Sequence, residues 1–172
     1  MNIGINGFGR IGRLVLRSAL ARGVNLNVVA INDRGDAAMN AHLFQFDSTY
    51  GPFRGYVEAE GDCIVIDGKP ITITSHLNPL DIPWRKLGVD LVIEATGAFT
   101  TSSQAVAHLQ AGAERVLVTA PCKGSDITLV AGVNERAYNP VAHRIISAAS
   151  CTTNGLAPIA KVLHEQFGLR SG

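Results

Sequence analysis

Three observations predict a doubly wound α/β fold built on a mainly parallel sheet. Short β-branched runs alternate with stretches of helical periodicity. A glycine-rich turn, Gly7-Phe8-Gly9-Arg10-Ile11-Gly12, joins the first run to the first helical stretch. An acidic residue, Asp33, closes the second run twenty-one residues after Gly12. With 172 residues, the chain suits one domain, or one domain plus the beginning of another.

The elements follow in order. Ile3 to Asn6 is a short apolar strand ending in the glycine turn. From Arg10 to Arg22, the apolar residues Ile11, Leu14, Val15, Ala19 and Leu20 recur at helical spacing, and Gly23 supplies the stop. Leu26 to Ile31 is a second β-branched run, which completes a right-handed βαβ unit. A helix is expected over Asp36 to Phe46, with Ala37, Met39, Ala41, Leu43 and Phe44 giving it an apolar side. Turn chemistry follows at Asp47-Ser48-Thr49-Tyr50-Gly51-Pro52. Cys63 to Ile66 and Ile71 to Thr74 read as two strands joined by Asp67-Gly68-Lys69-Pro70, so residues 53–75 are expected to be an antiparallel hairpin insertion. Parallel order returns with a strand at Leu91-Val92-Ile93, a helix around Ser102 to Ala111 and a strand at Val116-Leu117-Val118. Two further runs, Thr128 to Val130 and Arg144 to Ser147, lead to a lone cysteine at Cys151.

Composition narrows the function classes. Fifteen basic against fourteen acidic residues give a net charge of +1 with no basic run, which leaves nucleic acid and anionic lipid without an electrostatic footprint. Three cysteines are too few and too scattered for a disulfide framework, and no pair has metal-ligand spacing. No signal peptide opens the chain, and the apolar runs are too short to span a bilayer. These features read as a soluble cytoplasmic protein without a metal site.

The glycines of the turn have separable tasks. Gly7 permits the tight bend, Gly9 lets the backbone approach a pyrophosphate, and Gly12 lets the helix pack closely on the strand. The helix starting near Arg10 then aims its free N–H groups at phosphate oxygens, as in Rossmann-type domains. Asp33 can accept hydrogen bonds from the adenosine ribose, and its charge disfavours a 2′-phosphate, so NAD is expected over NADP. Arg34 keeps NADP open, because a guanidinium could pair with that phosphate.

Cys151 follows an apolar run and has polar neighbours, Ser150, Thr152, Thr153 and Asn154, which suit helix capping and anion binding better than core packing. A helix with Leu156, Ile159, Ala160, Leu163 and Phe167 on one side comes next. Pro158 leaves two alternatives: the helix starts near Ala157 with Cys151 in a loop, or it starts at Cys151 and Pro158 lies inside it. His164 would be about 20 Å along that helix from Cys151, too far to act as its base. Cys63 reads as a packing residue. Cys122 follows a strand end, where Lys123 could lower its pKa.

Taken together, Asn6-Gly7-Phe8-Gly9-Arg10-Ile11-Gly12-Arg13, Ile31-Asn32-Asp33, Phe46-Asp47-Ser48, Glu94-Ala95-Thr96-Gly97, Thr119-Ala120-Pro121, Gly132-Val133-Asn134 and Ser150-Cys151-Thr152-Thr153-Asn154 resemble the phosphorylating glyceraldehyde-3-phosphate dehydrogenase family. The resemblance runs through the whole chain and corresponds to the N-terminal half of a family member. It implies a nucleotide-binding domain over residues 1–149, without its C-terminal helix, and the start of a catalytic domain over 150–172. It also implies NAD held by Gly7, Gly9, Arg10, Ile11, Gly12, Asp33, Thr96, Gly97 and Thr119, with Cys151 as the nucleophile. Ser150 and Thr152 would bind substrate or phosphate.

By the same resemblance, the full-length parent would oxidise and phosphorylate glyceraldehyde 3-phosphate through a thioester and form a homotetramer. The family's catalytic histidine would lie beyond residue 172, leaving this chain with cofactor binding. Erythrose-4-phosphate dehydrogenase and a non-catalytic NAD-binding module are the alternatives. Two positions depart from the family pattern: Gly155 stands where a second cysteine is usual, and Leu77 where an arginine often lies.

Overall fold

In the computed structural model, which describes residues 1–171, strands and helices alternate as the periodicities require. Strand β1 (Asn2–Asn6) leads through helix α1 (Arg10–Ala21) to β2 (Asn27–Asn32) and α2 (Ala37–Gln45). The strands β3 (Val57–Glu60), β4 (Cys63–Ile66) and β5 (Lys69–Thr74) come next. They are followed by β6 (Leu91–Glu94), α3 (Ser102–Gln110), β7 (Arg115–Val118), β8 (Ile127–Thr128), β9 (Ile145–Ser147) and α4 (Cys151–Phe167). The described strands form one nine-stranded sheet in the order β3-β4-β5-β2-β1-β6-β7-β9-β8. β1 lies between β2 and β6 and is parallel to both. The chain therefore runs outward on one side of β1 and returns on the other, which opens a crevice at the carboxyl ends of these strands.

The core follows from burial on both faces of the central strands. Ile3, Ile5, Phe8, Leu16, Ile31 and Phe44 close one layer against α1 and α2. Phe8 and Phe44 stack with ring centroids 5.8 Å apart. A second cluster gathers Ala30, Ile82, Trp84 and Val92. On α2, Ala37, Asn40, Ala41 and Phe44 are the buried residues, while Met39 and Leu43, expected on its apolar side, are exposed. Asp36 caps that helix by accepting a hydrogen bond from the Met39 N–H at 2.8 Å.

The insertion at residues 53–75 needs two corrections. It has a third strand, β3, antiparallel to β4, whose Val-Glu-Ala-Glu sequence alternates apolar and polar but is short and rich in the alanine and glutamate that strands disfavour. In addition, β5 pairs antiparallel with β4 but parallel with β2, so it is a member of the parallel sheet as well as an arm of the hairpin. The hairpin turn is the two residues Asp67 and Gly68, with φ of 50° and 77°. Those values suit the type I′ turn that Asp-Gly favours. The run expected as a strand over Thr128 to Val130 pairs only as Ile127–Thr128. Beyond it, the Val130 N–H donates to the side chain of Asn134 instead of to a neighbouring strand.

α4 differs from the other helices because it buries none of its residues. Leu156 is 67% and Ile159 60% exposed. Replacing both with serine should therefore change stability by less than about 0.5 kcal/mol. Ile5→Ala, at a fully buried position, should cost about 2–5 kcal/mol. Urea unfolding of the three chains checks this, and a large loss from the α4 double substitution would show that the helix is packed in solution.

Candidate cofactor cradle and nucleophile

The predicted site residues gather along one rim, where β2, β1, β6, β7 and β9 end side by side. On β1, the chain turns at Gly7 with φ of 88°, a left-handed conformation that glycine tolerates best. A side chain there would also meet Thr96, since a Cβ at that position would lie 2.8 Å from its backbone N. Gly12 is packed differently: a Cβ would run into the carbonyl oxygen of Gly7 and lie 3.2 Å from Cγ2 of Ile5.

Gly9 has neither constraint. Its φ of −67° is ordinary, and a Cβ at this position would meet nothing within 4 Å. It is also the N-cap of α1 and offers no side chain to the free N–H groups of the first turn. By contrast, α2 is capped by Asp36, α4 by Ser150, and in α3 Gln104 reaches back to the Thr101 N–H at 3.2 Å. The first turn of α1 is thus open to an anion. Arg10 and Ile11 lie exposed beside it.

Asp33, at the end of β2, faces this turn. One carboxylate oxygen accepts from the Phe8 N–H at 2.8 Å and the other from the Gly35 N–H at 2.9 Å. Each oxygen retains acceptor capacity for a ribose hydroxyl. Arg34 is exposed. Across the crevice, Thr96 and Gly97 follow β6, with Gly97 at φ 74° and open space beside it. Thr119 follows β7 and donates from both its N–H and its hydroxyl to the carbonyl of Glu94, at 3.0 and 3.1 Å. These groups fit a dinucleotide lying across β2, β1 and β6 towards β7.

The cysteine sits three strand positions from β1, roughly 14 Å along the rim. Between the alternatives for α4, the helix begins at Cys151 and carries Pro158 inside it. Ser150 is its N-cap, accepting from the Thr153 N–H at 3.0 Å, and its hydroxyl lies 2.9 Å from that of Thr152. Cys151 is exposed on the first turn. The approach to it is a bend at Ala149, a non-glycine residue at φ 62° that is buried and costs roughly 1–2 kcal/mol. Asn154 holds the bend, its amide donating to the carbonyls of Ala148 and Ser150, both at 2.9 Å.

Beside this elbow lies a cavity of about 480 Å³, bordered by Thr100, Thr101, Lys123, Ser147, Ser150 and Thr153. Cys122 borders it too, but burial and the nearby Asp126 push its thiol pKa up, which corrects the expectation that Lys123 lowers it. Cys63 is half-buried. Among the described residues, no group of three His, Cys, Asp or Glu side chains could hold a metal ion, and no helix is long and apolar enough to cross a membrane.

Two contributors escaped the sequence reading. Asn154 stood inside the recognised motif, but its role depends on the unusual φ of Ala149. Glu94 ends an otherwise apolar strand, Leu91-Val92-Ile93, and a lone acid in such a run is a signal that could have marked it.

A strand-end crevice with an open glycine cradle, an acid on the neighbouring strand and an exposed thiol beyond it defines a Rossmann-type nucleotide-binding domain followed by an exposed cysteine segment. Residues 1–102 match the family model described as the glyceraldehyde 3-phosphate dehydrogenase NAD binding domain, and residues 150–172 match the C-terminal domain of the same enzyme. The chain belongs to the glyceraldehyde 3-phosphate dehydrogenase family.

The glyceraldehyde-3-phosphate dehydrogenase of Streptomyces coelicolor is 51% identical over the full chain, which covers 51% of that protein. The Geobacillus stearothermophilus protein of the same name is 50% identical, again over the full chain and 51% of its own length. That of Thermotoga maritima is 52% identical over 99% of the chain and 51% of its own length. The chain thus spans about half the length of the curated relatives it matches.

Proposed function

We propose that this chain binds NAD and presents the nucleophilic cysteine of an NAD-dependent, phosphorylating glyceraldehyde-3-phosphate dehydrogenase. The observation that carries the reading is Gly9: neither its backbone angle nor its packing requires glycine, so its missing side chain serves something outside the fold. The pyrophosphate would lie over Gly9 against the N–H groups of Arg10, Ile11 and Gly12, and the adenosine ribose on Asp33. The nicotinamide half would reach past Thr96 and Gly97 towards Thr119. We assign residues 1–149 to the nucleotide-binding domain and 150–172 to the start of the catalytic domain.

Cys151 supplies the covalent step. Its sulfur adds to the aldehyde carbon to give a thiohemiacetal, loss of hydride and of the hydroxyl proton gives a thioester, and an inorganic phosphate oxygen then displaces the sulfur. The products are an acyl phosphate, 1,3-bisphosphoglycerate, and the regenerated cysteine. NAD, when bound, supplies the hydride acceptor. Ser150 and Thr152, with hydroxyls on either side of Cys151 in sequence, would hold the substrate or the attacking phosphate. Proton removal needs a base, and His164 stands thirteen residues along α4, about 20 Å away. We assign turnover to a whole protein of this family, in the cytoplasm and as a homotetramer, and cofactor binding to this chain.

Calorimetric titration tests the cofactor assignment. The chain should prefer NAD over NADP, because Asp33 would face the 2′-phosphate. Asp33→Asn should narrow that preference by weakening NAD and relieving the repulsion of NADP. Equal affinity of the unsubstituted chain for the two cofactors would contradict the role given to Asp33.

A further inference from the structure

The strand ends that form the cradle are tied together by one buried carboxylate. Glu94 is 1% exposed and lies at the end of β6, among Asn6, Asn32 and His108, which are 2%, 5% and 0% exposed. One of its oxygens accepts from the Thr96 N–H at 2.8 Å and from the Thr96 hydroxyl. The other accepts from the Asn6 amide and lies 2.9 Å from Nε2 of His108. Trp84 Nε1, which can only donate, is 3.0 Å from Nδ1 of His108. The histidine proton therefore sits on Nε2 and points at Glu94. The chain of bonds continues beyond Asn6: the Asn32 amide donates to Asn6 Oδ1 at 2.8 Å, and Asn32 Oδ1 accepts from the His76 N–H at 2.8 Å.

We propose that Glu94 is a positioning residue for the dinucleotide cradle, holding Thr96 and Asn6 so that the turn at Gly7 keeps its shape. This inference rests on the cofactor reading above. Its physical basis is that Thr96 forms the wall against which Gly7 closes, and that Gly7 in turn donates its N–H to the carbonyl of Asn32 at 2.8 Å. Every contact of the carboxylate is with a donor. A glutamine in its place would set an NH₂ group either against the buried donors of Asn6 and His108 or against the Thr96 N–H, so the tie between the end of β1 and the Thr96 loop is lost on one side. A core serving stability alone would be as well filled by apolar groups. Here the donors come instead from the end of β1, from the loop after β6 and from α3, and the first two border the cradle.

The test compares Glu94→Gln with Ile66→Ala, a core substitution in β4 that lowers stability at a distance from the cradle. Glu94→Gln should weaken NAD affinity by about 10-fold or more, whereas Ile66→Ala should leave it within about 2-fold at a comparable loss of melting temperature. Hydrogen exchange on the free chains should show Glu94→Gln selectively deprotecting the amides of Thr96 and Ala98, whose partners are Glu94 and the Thr96 hydroxyl. Unchanged affinity in Glu94→Gln, or equal losses in both variants, would overturn the proposal. If the unsubstituted chain bound no NAD, the cofactor reading would fall. The exchange arm would still decide the positioning role, with selective deprotection upholding it and unchanged protection overturning it. Should Glu94→Gln not fold, Glu94→Asp, which keeps the charge and shortens its reach, takes its place under the same criteria.

Discussion

Gly12→Ala should destabilise the chain by roughly 1–3 kcal/mol and remove dinucleotide binding with it. Helix propensity argues the other way, since alanine is favoured over glycine inside a helix by about 0.8–1.0 kcal/mol. Packing decides the sign. The added Cβ would clash with the Gly7 carbonyl oxygen, which is backbone and cannot rotate aside as a flexible side chain would. Either α1 moves off β1 or the turn at Gly7 opens, and both changes disturb the first helical turn, to which the phosphates are assigned. A loss of this size should lower the melting temperature by several degrees, at about 2–4 °C per kcal/mol for a chain of this length. Thermal unfolding followed by NAD titration checks both effects. An unchanged or raised melting temperature would mean that helix and strand have room between them.

The second large effect concerns the thiols. Brief treatment with iodoacetamide should modify Cys151 to completion while Cys122 remains largely unmodified, and Cys151→Ser should abolish the fast phase. Cys151 is exposed on the first turn of α4, whereas Cys122 is buried and its thiol is held in the protonated form by burial and by Asp126. Raising the pH towards and above the ordinary thiol range should therefore bring Cys122 into reaction last. Asn154→Ala should leave Cys151 exposed but loosen the bend at Ala149. Peptide mass spectrometry over a time course gives the rates. Faster modification of Cys122 than of Cys151 would remove Cys151 from the role of accessible nucleophile.

How far the sequence led depended on whether the determining contacts were local. The glycine turn, Asp33 and the Asp67-Gly68 hairpin were legible because each combines backbone geometry with a few adjacent residues. Strand β3 was not, because Val57-Glu58-Ala59-Glu60 pairs at the sheet edge without a strongly apolar face. The start of α4 remained open because Pro158 and the Ser150 cap point to different boundaries, and the cap prevails. The Glu94 network was least legible. Asn6 and Glu94 are 88 positions apart, and only the pairing of β1 with β6 brings them together. The placement of Cys151 on the same rim as the glycine cradle likewise follows from strand order and not from either motif.

The most direct test of the cofactor cradle is calorimetric titration with NAD of the chain and of Gly9→Ala, with thermal unfolding of both. Because Gly9 has an ordinary φ and open space around its Cα, the substitution should leave the melting temperature unchanged. Saturable NAD binding by the chain, lost or strongly weakened in Gly9→Ala, is the predicted result. Absence of binding to the chain, or equal binding to both proteins, would contradict the assignment of the Gly9 turn as the pyrophosphate site.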